Sequence, residues 1–228
     1  MNFLLELWRA AIYFLFPPRC PNCREMVDER YQLCAACGEK IFCVDFYPLP
    51  PAPIDKVLRV TRYRNGSRAL LTKLKFDNNL NVVPALKKIL DAVADRDEIS
   101  QLLNGVKLVV PVPLHADRFK ERGFNQTEEI FADWFAAKNL PLENILIRRL
   151  STPRLFDMNK AEREKILTGA FAAAEPVDLR GQSVLIVDDI FTTGTTCKEC
   201  AKVLKSLGAE KVSVLAFAAD FDDNLPTD

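Results

Sequence analysis

Histidine is almost missing from these 228 residues: His115 is the only one. That excludes a paired-histidine metal site and leaves His115 as a lone general base, a phosphate donor or a satisfied loop residue. Net charge is missing too, because 31 Lys and Arg balance 31 Asp and Glu. No overall field favours a polyanion, so nucleic-acid binding needs a local basic patch. A membrane-spanning run is also lacking. The most apolar stretch, MNFLLELWRAAIYFLF, is broken by Glu6 and Arg9 and stops at Pro17, short of the ~20 residues a bilayer requires. It has neither the leading positive charge nor the small-residue cleavage site of an export signal. No Gly-Lys-Ser/Thr occurs, which excludes a P-loop.

What is present suits a soluble globular chain, 49% hydrophobic and 27% charged. Its length supports one sizeable core plus a small satellite. Leu4, Leu5, Trp8, Ile12 and Leu15 fall near helical spacing, predicting a short amphipathic helix that packs on the body or meets a partner or membrane surface. Seven cysteines stand at 20, 23, 34, 37, 43, 197 and 200. An odd count with paired CxxC spacing argues against a secreted disulfide framework and for the cytoplasm. Cys20-Pro-Asn-Cys23 and Cys34-Ala-Ala-Cys37 have the spacing of a zinc ribbon, in which two tight turns aim four thiolates at one ion. So short a segment needs the metal as folding energy. Cys43 is either a spare thiol or a substitute ligand. Cys197, Cys200, Leu204 and Leu207 form a helical stripe in which cysteine serves as a small hydrophobe.

Tyr47-Pro-Leu-Pro-Pro-Ala-Pro53 is stiff with proline and divides the chain. Residues 1–46 form the amphipathic segment and ribbon, 47–56 the connector and 57–228 the main domain. In that domain strands are predicted at 57–63, 107–111, 144–150, 184–187 and 212–217. Helices are predicted around Leu70–Leu74 and over 80–94, 127–138, 162–167 and 195–207. Alternating strands and helices imply an α/β fold, a mostly parallel sheet covered on both faces.

The stretch VLIVDDIFTTGTT, residues 184–196, concentrates the chemistry. An all-apolar strand is buried on both faces, and ligands of such sheets bind beyond the strands' carboxyl ends. There stand Asp188 and Asp189, then Thr192, Thr193, Gly194, Thr195 and Thr196 where a helix begins. Amides at a helix N-terminus, with Gly194 permitting close approach, cradle a phosphate while the hydroxyls add donors. The carboxylates then lie one sugar-length away, suited to ribose hydroxyls or Mg²⁺.

These residues resemble the 5-phosphoribosyl-1-pyrophosphate (PRPP) signature of type I phosphoribosyltransferases. Val110-Pro-Val-Pro-Leu-His115, Arg118, Arg122-Gly-Phe-Asn-Gln126, Leu74-Lys-Phe76 and the cysteine ribbon together resemble the ComF (competence protein F) family, including its GntX-like members. The resemblance spans nearly the whole chain. It implies a type I phosphoribosyltransferase-like sheet with an N-terminal zinc ribbon, structural Zn²⁺, and PRPP bound with Mg²⁺ by Asp188, Asp189 and residues 192–196. Two prolines, Pro111 and Pro113, remove amides where type I enzymes hold pyrophosphate. Arg118 and Arg122 either compensate with guanidinium–phosphate contacts or form surface ion pairs with Glu121 or Glu128. Leu155, Met158 and Ile166 stand where members carry Gln, Leu and Asn, while Thr152, Glu162 and Arg163 are retained. The PRPP half of the pattern thus survives better than the acceptor half.

Arg59, Arg62, Arg64, Arg68, Lys73 and Lys75 surround Tyr63 and Phe76. Cations among aromatics suit single-stranded DNA; a solvated face accounts for them equally, and Arg62 and Arg64 are expected on one side. The resemblance implies an accessory protein of natural transformation that binds a phosphoribosyl ligand and handles single-stranded DNA in the cytoplasm or peripherally at the inner membrane. Its partner there is a competence helicase or the uptake channel. The alternatives are an active transferase using Asp188 and Asp189 for catalysis with an unknown acceptor, and a regulatory PRPP sensor.

Overall fold

A computed structural model describes residues 8, 12–150 and 165–221. The expected N-terminal helix lies partly outside these residues, and Thr152, Leu155, Met158, Glu162 and Arg163 lie wholly outside them. The first described elements are helix α1 (Ala35–Ile41) and strand β1 (Phe42–Phe46). The body alternates as expected: β2 (Lys56–Arg62), α2 (Asn65–Phe76), α3 (Val83–Asp91), α4 (Asp97–Leu103), β3 (Val106–Pro111), α5 (Ala116–Arg122) and α6 (Gln126–Ala136). Then come β4 (Leu146–Arg148), β5 (Phe171–Ala173), β6 (Ser183–Phe191), α7 (Thr195–Ser206) and β7 (Lys211–Ala219).

Five strands form one sheet in the order β1-β2-β7-β6-β3. The pairs β2–β7, β7–β6 and β6–β3 are parallel, and β1 is the antiparallel edge. Strand alternation divides the core. Val184 and Ile186 of β6 join Val57, Val212, Val214, Cys197, Cys200 and Leu204 on one face. Leu185 and Val187 join Leu58, Val60, Leu215, Phe217 and Phe131 on the other. Because both faces are covered, these strands read as continuous apolar runs. Cys197 and Cys200 are buried in the core, as their helical stripe implies.

Several elements differ from expectation, among them α4, β1 and β5, which were not expected. The helix predicted over 80–94 splits into a 3₁₀ turn at Leu80–Val82 and α3, with Pro84 in the first turn of α3. Proline cannot donate the amide a continuous helix would need, but is tolerated at a helix start. The strand predicted over 144–150 shortens to β4, which pairs antiparallel with β5 in a separate two-stranded unit. Helix α5 buries none of its residues, so it carries no apolar period to betray it.

Strand β1 is tied to the body by more than its ladder. Arg59 of β2 lies almost fully buried, and its Nε and Nη2 donate to the two Asp45 carboxylate oxygens at 2.6 and 2.9 Å. The guanidinium stacks on Phe221, 4.3 Å from the ring centroid, and Nη2 also approaches Cys43 Sγ at 3.1 Å. Cys43 is thus placed beside Arg59 and Arg62, outside the four-thiol cluster. Asp45→Ala strips the buried cation of its carboxylate. Because Asp45 is about half exposed, the expected loss is roughly 2 kcal/mol in urea unfolding, below the ~3–5 kcal/mol of a fully buried pair.

Candidate functional site

The sheet ends unevenly. β3 stops at Pro111, opposite Val187 of β6, whereas β6 and β7 stay paired as far as Phe191 and Ala219. The strand predicted over 184–187 therefore continues through the acid pair, and Asp188 and Asp189 occupy the step where one neighbour has ended. A cleft of about 290 Å³ opens there. Both acids are nearly buried. Asp188 Oδ1 accepts the Asp189 amide at 2.9 Å, and Cys197 Sγ lies 3.5 Å from Asp188 Oδ2. Burial, and then the charge of Asp189, pushes the Asp188 carboxyl well above the ordinary range, with Lys75 opposing. Asp189 Oδ2 is buried and accepts no hydrogen bond; Lys75 Nζ stands 3.4 Å away.

Beyond the acids the chain turns into α7 through Thr192, Thr193 and Gly194. Gly194 is the N-cap, at φ 72°, and no side chain caps the helix, so no capping side chain occupies its first amides, the groups a helix start offers to an anion. A Cβ on Gly194 would lie 2.5 Å from the Phe191 ring and 3.0 Å from Pro51, so the position demands glycine on both conformation and space. Pro51 belongs to the connector, which crosses over this loop. Thr193 and Thr195 share a hydroxyl contact of 2.9 Å. All five loop residues, 192–196, line the cleft with Asp188 and Asp189.

The Arg-Gly-Phe-Asn-Gln motif forms the opposite wall. Gly123, at φ 84°, ends α5 in the left-handed conformation, and Asn125 caps α6 by accepting the Thr127 amide at 3.0 Å. Asn125 Nδ2 donates to the Val112 carbonyl at 3.1 Å, which ties the corner to the end of β3. Arg122 donates from Nη1 to Gln126 Oε1 and from Nη2 to the Lys75 carbonyl at 2.8 Å. Arg118 also borders the cleft but is paired with Glu121 at 2.6 Å. The end of β3 offers little to an anion: Pro111 and Pro113 have no amide, and the Val112 amide donates to the Val187 carbonyl at 3.0 Å. His115 caps α5, its Nδ1 accepting the Asp117 amide at 3.2 Å.

Two cations were not foreseen in the cleft. Lys75 reaches in from the end of α2 rather than sharing an outer surface with Arg62 and Arg64. Arg148 reaches in from β4, its guanidinium 5.7 Å from the Phe171 ring centroid. The expected strand over 144–150 gave no direction to its side chains, and only the pairing of β4 with β5 sets that of Arg148. The basic cluster is divided in other ways: Arg59 is buried, Arg62 Nε meets Cys43 Sγ at 3.3 Å, and Arg64 pairs with Asp220 at 3.2 Å. Lys73 is partly buried on α2 and does not line the cleft.

At the other end of the molecule the ribbon sulfurs of Cys20, Cys23, Cys34 and Cys37 all lie within 4.8 Å of one another. Backbone bonds close both turns, Arg24 N to Cys20 O at 3.0 Å and Gly38 N to Cys34 O at 2.8 Å. Asn22 Nδ2 donates to Cys37 Sγ at 3.2 Å. Burial opposes ionisation of Cys20, yet amides of Cys23, Cys34 and Asn22 directed at its sulfur bring the thiol down to about 7. Four thiols gathered in two amide-lined turns constitute a structural zinc site.

A phosphoribosyl transferase domain model matches residues 136–227, and a double zinc ribbon domain model matches residues 11–46. Competence protein F of Haemophilus influenzae is 28% identical over 227 residues, covering 95% of this chain and 97% of that protein. DNA utilization protein YhgH of Salmonella typhimurium is 29% identical over 204 residues, 86% of this chain and 87% of that one. Competence protein ComFC of Bacillus subtilis is 24% identical over 222 residues, 92% and 87% of the respective chains.

Two outcomes follow from the site. Zinc analysis by a chromogenic chelator returns one ion per chain, and Cys34→Ala both abolishes it and lowers the melting temperature. For Asp188, the unfolded chain ionises at the ordinary value and the folded chain only at higher pH, so stability declines as pH rises between the two. Asp188→Asn removes that decline. It is neutral below pH ~4 and stabilising by about 1 kcal/mol at pH 8, measured by urea unfolding at both values.

Proposed function

The chain belongs to the ComF family, and from that premise we propose that it is an accessory protein of natural transformation whose cleft binds PRPP or a related phosphoribosyl ligand. One observation carries the reading. Asp188 and Asp189, the Thr192–Thr196 loop on the uncapped start of α7, and Arg122 converge on one cleft. In this reading the loop amides and threonine hydroxyls hold the 5-phosphate, and the acids accept hydrogen bonds from the ribose hydroxyls. The acids also fit Mg²⁺: the Asp189 Oδ2 atom, buried without a hydrogen bond, is the donor a hard cation takes. The ion would neutralise charge between carboxylates and ligand.

The role in DNA handling draws on the names of the relatives, competence protein and DNA utilization protein, and on the cleft mouth. Tyr63 and Phe76 border the cleft beside Lys75, with Arg62 and Arg64 at the neighbouring strand end. Stacking faces next to cations suit a single strand without regard to sequence. Zinc holds the ribbon in shape; the ribbon has no part in the sugar chemistry. No helix among the described residues is long and apolar enough to cross a membrane, consistent with work at the cytoplasmic side of an uptake machine. Turnover as a transferase draws less support, because Pro111 and Pro113 carry no amide and the Val112 amide is bound to the Val187 carbonyl, which thins the donors at that end for a departing pyrophosphate.

Titration calorimetry with PRPP and Mg²⁺ tests the cleft. Saturable binding is expected for the wild type, with a loss of at least about 100-fold in Asp188→Ala/Asp189→Ala, each lost hydrogen bond to a charged group contributing ~1.5–3 kcal/mol. Unchanged binding in the double variant refutes the reading. Single-stranded DNA binding, followed by fluorescence anisotropy, is expected to weaken steeply with salt and to drop in Arg62→Ala/Arg64→Ala.

A further inference from the structure

Lys75 is set where a cation governs the acid pair. Its side chain is about two-thirds covered, and its ammonium stands 3.4 Å from Asp189 Oδ2, inside ion-pair range but off hydrogen-bond geometry. The backbone beneath it is fixed. Arg122 holds the Lys75 carbonyl, and the amides of Asp77 and Asn79 both donate to the Lys73 carbonyl as the helix ends, at 3.2 and 3.1 Å. Asp189 itself is almost fully buried, so its carboxylate cannot turn to water for compensation.

The charges facing this point come from four elements. Asp188 and Asp189 lie on β6, Lys75 on α2, Arg122 at the end of α5 and Arg148 on β4. Burial favours the neutral form of Asp188, while Lys75 and Arg122 both act on Asp189. The resting cleft is therefore neutralised from within and cationic at its walls. A divalent ion approaching Asp189 Oδ2 meets an ammonium already in place and further positive charge around it.

We propose that Lys75 is the resident counter-cation of Asp189 and keeps divalent metal off the acid pair until an anionic ligand draws the ammonium away. Metal and ligand then enter together: a phosphate-rich ligand gives Lys75 a new partner, and the freed carboxylate becomes available to the ion. This deepens the phosphoribosyl reading and rests on it for the identity of the anion, but the behaviour of the metal alone stands apart from the sugar.

The probe is Mn²⁺ without any sugar ligand, titrated into the zinc-loaded full chain, with free Mn²⁺ measured by electron paramagnetic resonance. Wild type and Lys75→Arg are expected to bind weakly. Lys75→Met and Lys75→Gln are expected to bind one further ion about ten-fold more tightly or better, and adding Asp189→Asn to either is expected to cancel the gain. Two neutral variants of different shape are included, so that a folding failure in one, seen by circular dichroism, leaves the other to decide. Mn²⁺ affinity in the neutral variants equal to or below that of the wild type overturns the proposal, as does the same gain in Lys75→Arg. PRPP calorimetry separates the two ideas. A Mn²⁺ gain without PRPP binding in the wild type refutes only the phosphoribosyl reading. PRPP binding without a Mn²⁺ gain refutes only the role of Lys75.

Discussion

Two carboxylates buried side by side at the end of a parallel strand repel each other and have lost most of their water, and the cleft is organised around offsetting that. The Asp189 amide turns to Asp188 Oδ1, Cys197 adds its thiol, and Lys75 faces Asp189. None of these fully neutralises the pair, since Asp189 Oδ2 keeps no hydrogen bond and Asp188 is driven toward its protonated form. Such a site costs stability in isolation. It persists because β6 is held on both sides and by two apolar cores, which fix the acids at the floor of the cleft. A polar ligand that satisfies them recovers what the fold gives up.

Strand β1 links the ribbon to the packing behind the cleft. β1 follows α1 of the ribbon directly and pairs with β2, and Asp45 of β1 clamps Arg59 against Phe221. Phe221 stacks on Tyr47 at 4.6 Å between centroids, Tyr47 packs edge-on to Phe191 at 6.3 Å, and Phe191 and Pro51 close over Gly194. A contiguous set of packed groups therefore runs from the edge strand after the ribbon to the Thr192–Thr196 loop. The proline-rich segment works less as a spacer between units than as the cover of that loop. Its stiffness lets a glycine with φ 72° keep one conformation without a capping side chain.

Much of this was legible because it is written in local pattern. The apolar run before Asp188, the threonines around Gly194 and the two CxxC turns each state a geometry that neighbouring residues alone can supply. The mostly parallel sheet followed from strands alternating with helices. What local pattern could not convey was the partner of each side chain. Lys75 and Arg64 look alike beside Tyr63 and Phe76, yet one faces the acid pair and the other pairs with Asp220, because α2 turns its last residues toward the sheet end. Arg59 reads as a surface cation, but the two inner faces of β2 leave it buried against an acid 14 positions earlier. Arg148 belongs to a strand so short that only its pairing with β5 reveals its direction.

The two halves of the cleft differ in kind. On the β6 side stand main-chain amides at a helix start, fixed by the fold around Gly194. On the β3 side the strand end itself offers little, with two prolines and an amide committed to the Val187 carbonyl, and the guanidinium groups of Arg118 and Arg122 stand nearby. Arg118 is shared with Glu121 and Arg122 with Gln126, so any ligand must compete with existing partners for them. A preorganised cradle stabilises charge as it develops; borrowed side chains must reorganise first. On the phosphoribosyl reading proposed above, the asymmetry favours tight hold of the sugar phosphate and looser, exchangeable contact at the other end.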